Sequence, residues 1–261
     1  MSTPPQPELT VAALAWREGE HLTKCFASLR LLQELTSART LIVLDASADA
    51  ATTDIAHRVA DQVLGHPFDN FSRQRNFALD AVSTGWVFFI DPDERMTRPL
   101  ALELAEVIST GEAAAYRVPR RNILFGKEVR HTGWSPDYQV RLLRTDRCRY
   151  DETQAVHEVP LVDGSIGSLN HPLIHFNYET WRQFIAKQRS YAPLEARALY
   201  AAGHRAHLRS FIGQPVREFQ RRFFEYRGYK DGILGFALSV AMSAYRLLTC
   251  WHLYRLQKTP I

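Results

Sequence analysis

Apolar runs of strand length alternate with amphipathic stretches of helical spacing through the first part of the chain. Residues 9–16 form an apolar strand candidate, and residues 21–35 follow with Leu22, Cys25, Phe26 and Leu29 at helical spacing. Leu41-Ile42-Val43-Leu44 reads as a short buried strand ending in Asp45. Thr52 or Thr53 is predicted to cap a helix running to Ala60, with Val63-Leu64 a minor strand after it. Ser72 is predicted to cap a helix that turns Phe77, Leu79 and Val82 inward. Residues 86–90 are a buried strand candidate, and residues 99–108 a helix. This alternation predicts an α/β fold, a mostly parallel sheet flanked by helices on both faces. Right-handed crossovers bring the strand ends to one rim, so Asp45 and Asp91 are expected to line one cleft.

The pattern changes in the middle third. Residues 115–119 and 139–144 look like strands, separated by a loop rich in Gly, Trp and charge over residues 126–137. Residues 150–167 are polar and turn-rich, and residues 168–176 form a last short strand. Loops this long in a compact domain are functional or disordered, and the aromatic and charged content here favours function. From Thr180 the pattern is helical, opening on the capping box Thr180-Trp181-Arg182-Gln183. The expected organisation is a disordered lead over residues 1–8, an α/β domain over 9–178 and a helical C-terminal region over 179–261.

Charge and cysteine usage narrow the classes. The formal net charge of +4 fits an anionic lipid surface, an anionic substrate or nucleic acid, and the sign alone does not choose. No recognisable nucleic-acid motif appears, so nucleic acid is not an expected partner. The three cysteines are scattered, which argues against a disulfide framework or a zinc ribbon and fits a reducing compartment. The polar, Pro-rich start has no basic segment leading into an apolar one, so a secretory signal is not expected. In the tail, basic and aromatic residues from Arg217 to Arg227 precede an apolar run over residues 233–248. A spanning helix needs about 20 apolar residues, so this shorter run is expected to lie on an anionic membrane surface.

The chemistry concentrates in Asp91-Pro92-Asp93-Glu94, where the strand over residues 86–90 stops in three carboxylates. Acids at a strand's carboxyl end suit a divalent cation, since Mg²⁺ takes one or two carboxylates plus substrate phosphates. Asp45 after a strand, the segment Ser72-Arg73-Gln74-Arg75-Asn76 and Asp91-Pro92-Asp93-Glu94 together resemble family 2 glycosyltransferases of the GT-A fold. Gly133-Trp134-Ser135-Pro136-Asp137, residues 139–144, Val156-His157-Glu158 and Tyr229-Lys230-Asp231-Gly232 resemble the branch of lipopolysaccharide core β-1,4-glucosyltransferases. The resemblance implies a GT-A-like (Rossmann-like) sheet, a UDP-sugar donor such as UDP-glucose, and inversion at the anomeric carbon. It implies nucleotide contacts from Asp45, Arg75, Asn76 and Asp91, and Mg²⁺ or Mn²⁺ held by Asp93 with Asp91. Two departures stand out: Arg17 precedes Glu18 where the family usually has Asn, and Ala46-Ser47-Ala48 replaces the family's Ser-Gly-Ser.

Sugar transfer needs a general base for the acceptor hydroxyl. Glu158 is the first candidate and Asp137 the second. His157 is a candidate metal ligand, phosphate contact or tuning partner of Glu158. Arg141 or Arg144 is a candidate diphosphate contact, and Trp134 offers a flat face for a sugar ring. The expected function is hexose transfer to a lipid-linked or lipopolysaccharide core saccharide, at the cytoplasmic face of a bacterial inner membrane. The alternatives are a sugar-phosphate nucleotidyltransferase and a non-catalytic module that binds anionic surfaces.

Overall fold

The computed structural model describes residues 8–153 and 159–258. The chain divides into two compact units, the first built from 1–120 with 137–175 and the second from 121–136 with 176–261.

In chain order the elements begin with β1 (Leu9–Ala15), α1 (Gly19–Ser28), α2 (Arg30–Thr36), β2 (Arg39–Asp45) and α3 (Ala50–Val59). Next come β3 (Gln62–His66), α4 (Phe71–Ala81), β4 (Trp86–Phe89), β5 (Glu94–Arg95) and α5 (Arg98–Thr110). Then follow β6 (Ala115–Leu124), β7 (Lys127–Val129), β8 (Tyr138–Arg144), β9 (Cys148–Tyr150), β10 (Pro160–Val162), β11 (Ile166–Ser168) and β12 (Leu173–Tyr178). Three long helices close the chain: α6 (Trp181–Ala201), α7 (Ser210–Gln220) and α8 (Gly232–Lys258).

In the first unit β1 lies between β2 and β4 and runs parallel to both, and β3 extends the parallel set beyond β2. β8 then pairs antiparallel with β4, and β6 antiparallel with β8. The α/β prediction holds; the sheet is parallel across β3, β2, β1 and β4, antiparallel where β8, β6 and β7 join, and parallel again where β11 meets β6. Alternate residues serve opposite faces, as the two-residue period of a strand requires. Val11, Ile42 and Phe88 pack with Leu22, Leu29, Leu100 and Leu104 on one face. Ala12, Val43 and Phe89 pack with Ala78 and Leu79 on the other. Both faces are buried, which is why these strands read as continuous apolar runs.

Several boundaries differ from the prediction for local reasons. The expected single helix over 21–35 is two, because Ser28 turns its hydroxyl onto the Cys25 carbonyl and accepts the Met96 N–H. That side-chain bond competes with the helical ladder. The cap of α3 is Asp49, which accepts the Thr52 N–H at 2.8 Å, and neither Thr52 nor Thr53. The cap of α4 is Asn70, which accepts the Arg73 N–H at 2.9 Å, and not Ser72. Ser, Thr, Asp and Asn all cap well, so a run containing several of them fixes the helix but not its first residue.

The second unit buries Leu124, Val129, Tyr178, Phe184 and Leu238 together. The capping box at the start of α6 is present, Thr180 and Gln183 exchanging side-chain to backbone bonds in both directions. Asp231 organises the segment before Gly133. It accepts the backbone N–H of His131 at 2.9 Å and of Arg130 at 3.3 Å, and the Thr132 hydroxyl at 3.1 Å. The short turn carrying Asp231 sits against α8 at Gly235, where a Cβ would lie 1.9 Å from the Gly228 carbonyl oxygen. Only glycine permits that approach. α8 is one helix of 27 residues, longer than the apolar run that announces it. Its best window has a mean hydropathy of 1.6, so by length and composition it is able to cross a membrane.

Candidate active site

Parallel pairing of β2, β1 and β4 sends Asp45 and Asp91 off the same edge of the sheet, as predicted. The structure gives them separate hollows. Asp45 lines a cavity of about 870 Å³ with Trp16, Ala46, Ser47, Phe68 and Phe71. Asp91 lines one of about 210 Å³ with Arg75, Arg120, Gln139, Arg141 and Tyr150. Helix α4 serves both, giving Phe71 to the first and Arg75 to the second.

The larger hollow is within the size range of small-molecule sites. Trp16, Phe68 and Phe71 each leave nearly half of their surface open, an unusual exposure for aromatic rings in one place. Its polar frame is built locally. Glu18 accepts the N–H groups of Trp16 at 2.7 Å and Arg17 at 2.8 Å. The Trp16 indole donates to Ser47 Oγ at 3.0 Å, and Ser47 donates to Asp45 Oδ1 at 2.6 Å from both its hydroxyl and its backbone N–H. The Ser47 bonds hold the Asp45 carboxyl below the usual carboxylate range. Arg17, the departure from the family's Asn, lays its guanidinium 4.4 Å from the centre of the Trp16 ring.

The smaller hollow is an alternation of acids and arginines. Arg141 forks onto Asp91 with both terminal nitrogens and reaches Glu94 Oε1 at 2.7 Å. Arg120 reaches the same Glu94 oxygen at 3.4 Å and Asp137 Oδ2 at 2.8 Å. Arg75 lies 3.9 Å from Asp91 Oδ1 and over the Tyr150 ring at 5.3 Å. Glu94 is fully buried, and its other oxygen accepts the Asp91 N–H at 2.9 Å. Burial opposes ionisation of Asp91, but Arg141 and Arg75 outweigh it and hold the carboxyl far down. Burial, with the Asp91 charge alongside, pushes Glu94 up.

Asp93 has a different partner. Its carboxylate faces His175 Nε2 at 3.4 Å and is 36 % exposed. The two acids expected to share a metal meet different partners. Asp91 is committed to guanidinium groups, and Asp93 is the carboxylate open to a cation. Among the described residues no three His, Cys, Asp or Glu side chains converge on one point. A single carboxylate with diphosphate oxygens is nonetheless a sufficient seat for Mg²⁺, so Asp93 fits the expected metal.

The other expected site residues fall as follows. Asn76 has its amide engaged inside the protein. It donates to the Tyr150 carbonyl and to Glu152 Oε1 and accepts the Tyr150 N–H, each at 2.9 Å. It clamps β9 and has no donor left for a nucleotide. Asn76→Ala is therefore expected to cost about 2–3 kcal/mol of stability, since it strands two buried backbone groups. Urea midpoints test this, and a midpoint within error of wild type would remove the clamp. Both Asp137 oxygens are held, Oδ2 by Arg120 and Oδ1 by Gln139 at 3.0 Å. Trp134 lies in the second unit, half-buried, its ring edge-on to Tyr178 with centroids 6.1 Å apart. Glu158 and His157 lie outside the described residues. Arg120, His175 and Trp16 carry no site signal in the sequence, and Glu94 has no role of its own there. For Glu94 the signal was present, as the third acid of the strand-end run.

Known proteins match this chain along nearly its whole length. Lipopolysaccharide core biosynthesis glycosyltransferase LpsC of Rhizobium meliloti (strain 1021) is 27 % identical over 263 residues, covering 96 % of this chain and 93 % of that protein. An uncharacterized glycosyltransferase of Rickettsia conorii is 21 % identical, covering 85 % of this chain and 84 % of its own. Among solved structures, residues 1–349 of S. aureus TarS in complex with UDP-GlcNAc align with a TM-score of 0.49 and 12 % identity, over 96 % of this chain and 91 % of that one. The sequence model of glycosyl transferase family 2 matches residues 10–157. With that match over more than half its length, the chain belongs to glycosyl transferase family 2 and is a glycosyltransferase related to a lipopolysaccharide core enzyme.

Proposed function

We propose that this glycosyltransferase moves a hexose, glucose in the first instance, from a UDP-sugar to a lipid-linked or lipopolysaccharide core saccharide, with inversion at the anomeric carbon. The observation that carries the reading is the pair of hollows at one sheet edge, an open aromatic one framed by Asp45 and an acid–arginine one framed by Asp91. The likeness to LpsC supports the acceptor class. The family membership sets aside the nucleotidyltransferase and the non-catalytic module considered from sequence.

In this reading the nucleoside sits in the larger hollow, its base against the rings of Trp16, Phe68 and Phe71. Asp45, kept ionised by Ser47, accepts hydrogen bonds from base or ribose. Asp91, oriented by Arg141, faces the ribose side. Asp93 is the residue that would hold Mg²⁺ or Mn²⁺, and a cation bound there supplies Lewis-acid neutralisation of the leaving diphosphate. Arg75 and Arg120 border the smaller hollow and add fixed positive charge where negative charge develops. With both oxygens of Asp137 engaged, Glu158 stays the first candidate for the base that takes the acceptor proton. In this reading the reaction takes place at the cytoplasmic face of a bacterial inner membrane, where a lipid-linked acceptor would be anchored.

The test is UDP release from UDP-glucose, UDP-galactose and UDP-GlcNAc with Mn²⁺, with and without delipidated core oligosaccharide, and the anomeric configuration of the product by NMR. Acceptor-stimulated UDP release with an inverted product is expected. Release from none of the three donors, or a retained configuration, overturns the proposal.

A further inference from the structure

The second unit carries an apolar surface that no part of the proposed chemistry uses. Along α8, Ile233, Phe236, Val240, Ala244, Leu247 and Trp251 recur every three or four residues, and all are exposed. That spacing puts them on one face of the helix. The face continues into Arg255, whose guanidinium lies 4.8 Å from the Trp251 ring centre, and ends at exposed Lys258. α7 runs alongside in the opposite direction, Ser210 meeting Cys250 at one end and Phe219 meeting Phe236 at the other. It adds Leu208 from its entering turn, 78 % exposed, with Ile212 at 74 % and the exposed Val216. Ile233 is 89 % exposed. Monomeric proteins rarely leave so long an apolar face open unless something covers it.

The surrounding charges select the occupant. Arg209, Arg217, Arg227, Lys230, Arg255 and Lys258 are all exposed around these two helices. Of the acids nearby, Glu218 is taken by Arg221 and Arg222 and Asp231 by the 130–132 segment, so that Glu225 stands exposed among these six cations. An apolar stripe with a basic border matches an anionic bilayer surface, whose headgroups meet the cations while its acyl chains meet the stripe. Crossing is opposed by α6, which packs along α8 and is tied to it by Glu195 and Arg246 at 3.0 Å. α6 exposes Arg182, Lys187, Arg189 and Arg197, and a spanning α8 would drag those charges into hydrocarbon.

We infer that the α7–α8 face is a membrane seat: it lies in the plane of an anionic bilayer with the Ile233–Trp251 stripe buried at the acyl boundary and α6 turned to water. The seat deepens the lipid-linked acceptor proposed above and rests on it, since it would hold the enzyme at the surface where such an acceptor is anchored.

The full-length protein tests this by flotation with vesicles of phosphatidylglycerol and phosphatidylethanolamine, against vesicles of phosphatidylcholine alone. Binding to the anionic vesicles is expected, with at least a tenfold lower partition coefficient for the double variant Ile212→Glu, Ile233→Glu. Both positions are so exposed that the fold is unaffected. All three native cysteines are buried, so an environment-sensitive dye can be placed selectively at Ile233→Cys or Arg189→Cys. A blue shift on vesicles is expected at 233 and none at 189; a shift at both means crossing and overturns the in-plane seat. Absence of vesicle binding, or a wild-type dimer in sedimentation that the Glu variant makes monomeric, also overturns it, the latter assigning the face to a second copy. UDP release from nucleotide sugar in solution separates the two readings. If it persists while vesicle binding is absent, the seat alone fails, and if it never occurs, the glycosyl-transfer reading fails whatever the vesicles show.

Discussion

Replacing Arg141 by alanine is expected to cost about 3 kcal/mol of stability, because it removes the guanidinium that compensates the fully buried Glu94 and the one-third-exposed Asp91. Arg141 is 4 % exposed and serves Asp91 and Glu94 at once, and Glu94 has no exposure at all. Arg120 and Arg75 reach the same acids only at 3.4 and 3.9 Å, too far to replace a forked pair. The loss should depend on pH in a definite sense. In the wild type Asp91 is held low, so its contribution is present above the ordinary carboxylate range and withdraws as pH falls. Glu94 is pushed up, so it acts in reverse and costs stability as pH rises through its raised range. Without Arg141 Asp91 is no longer held so low and Glu94 rises further, and the native variant takes up protons more readily than the native wild type. The deficit between variant and wild type should therefore narrow as pH is lowered from 7 toward about 4, the unperturbed carboxylate value. Urea unfolding at several pH values measures it. A deficit that stays constant with pH would mean that Arg141 acts through packing alone. Adding Glu94→Gln to the alanine variant should recover part of the loss, because it removes one of the two stranded charges.

That cluster also shows where reading the chain stopped. The strand-end acids were legible because an apolar run that halts in carboxylates has few other meanings, and parallel β1, β2 and β4 do deliver Asp45 and Asp91 to one edge. The partners of those acids were not legible. Arg141 and Arg120 lie 50 and 26 residues from the acids they meet, and they arrive through β8 and β6, strands that join the sheet antiparallel after β4. Periodicity announces that such strands exist and is silent on which neighbour they choose. The partner of Asn76 was hidden for a related reason: β9, a three-residue strand with no signal of its own, takes its amide. The tail was legible as apolar and basic. Which residues face outward became clear only once α6 and α7 were seen to cover the rest of α8.

Asp93→Asn is expected to lower turnover by about a hundred- to a thousandfold, equivalent to roughly 3–4 kcal/mol of barrier, while leaving the fold intact. The two parts of that expectation come from the same geometry. Asp93 is 36 % exposed and among the described residues pairs with His175 Nε2 at 3.4 Å, so its neutralisation disturbs little that is buried. The stability change should stay within about 0.5 kcal/mol. Asp91, two residues earlier, would behave differently, since its carboxylate is woven into the Arg141 fork and its removal would unsettle the whole cluster. Asp91 is nearly as exposed, at 34 %, but both its oxygens are taken by Arg141, whereas Asp93 faces a histidine and solvent, and that difference in partners is what points to function. A second readout keeps activity from standing alone. If Asp93 seats the cation, Mn²⁺ should raise the thermal midpoint of wild type more in the presence of UDP than in its absence, and that increment should vanish in Asp93→Asn. Normal Mg²⁺-supported turnover in the variant, or an undiminished Mn²⁺ increment, would remove Asp93 from the site and leave the acid–arginine cluster to stabilise the leaving diphosphate through its own charges.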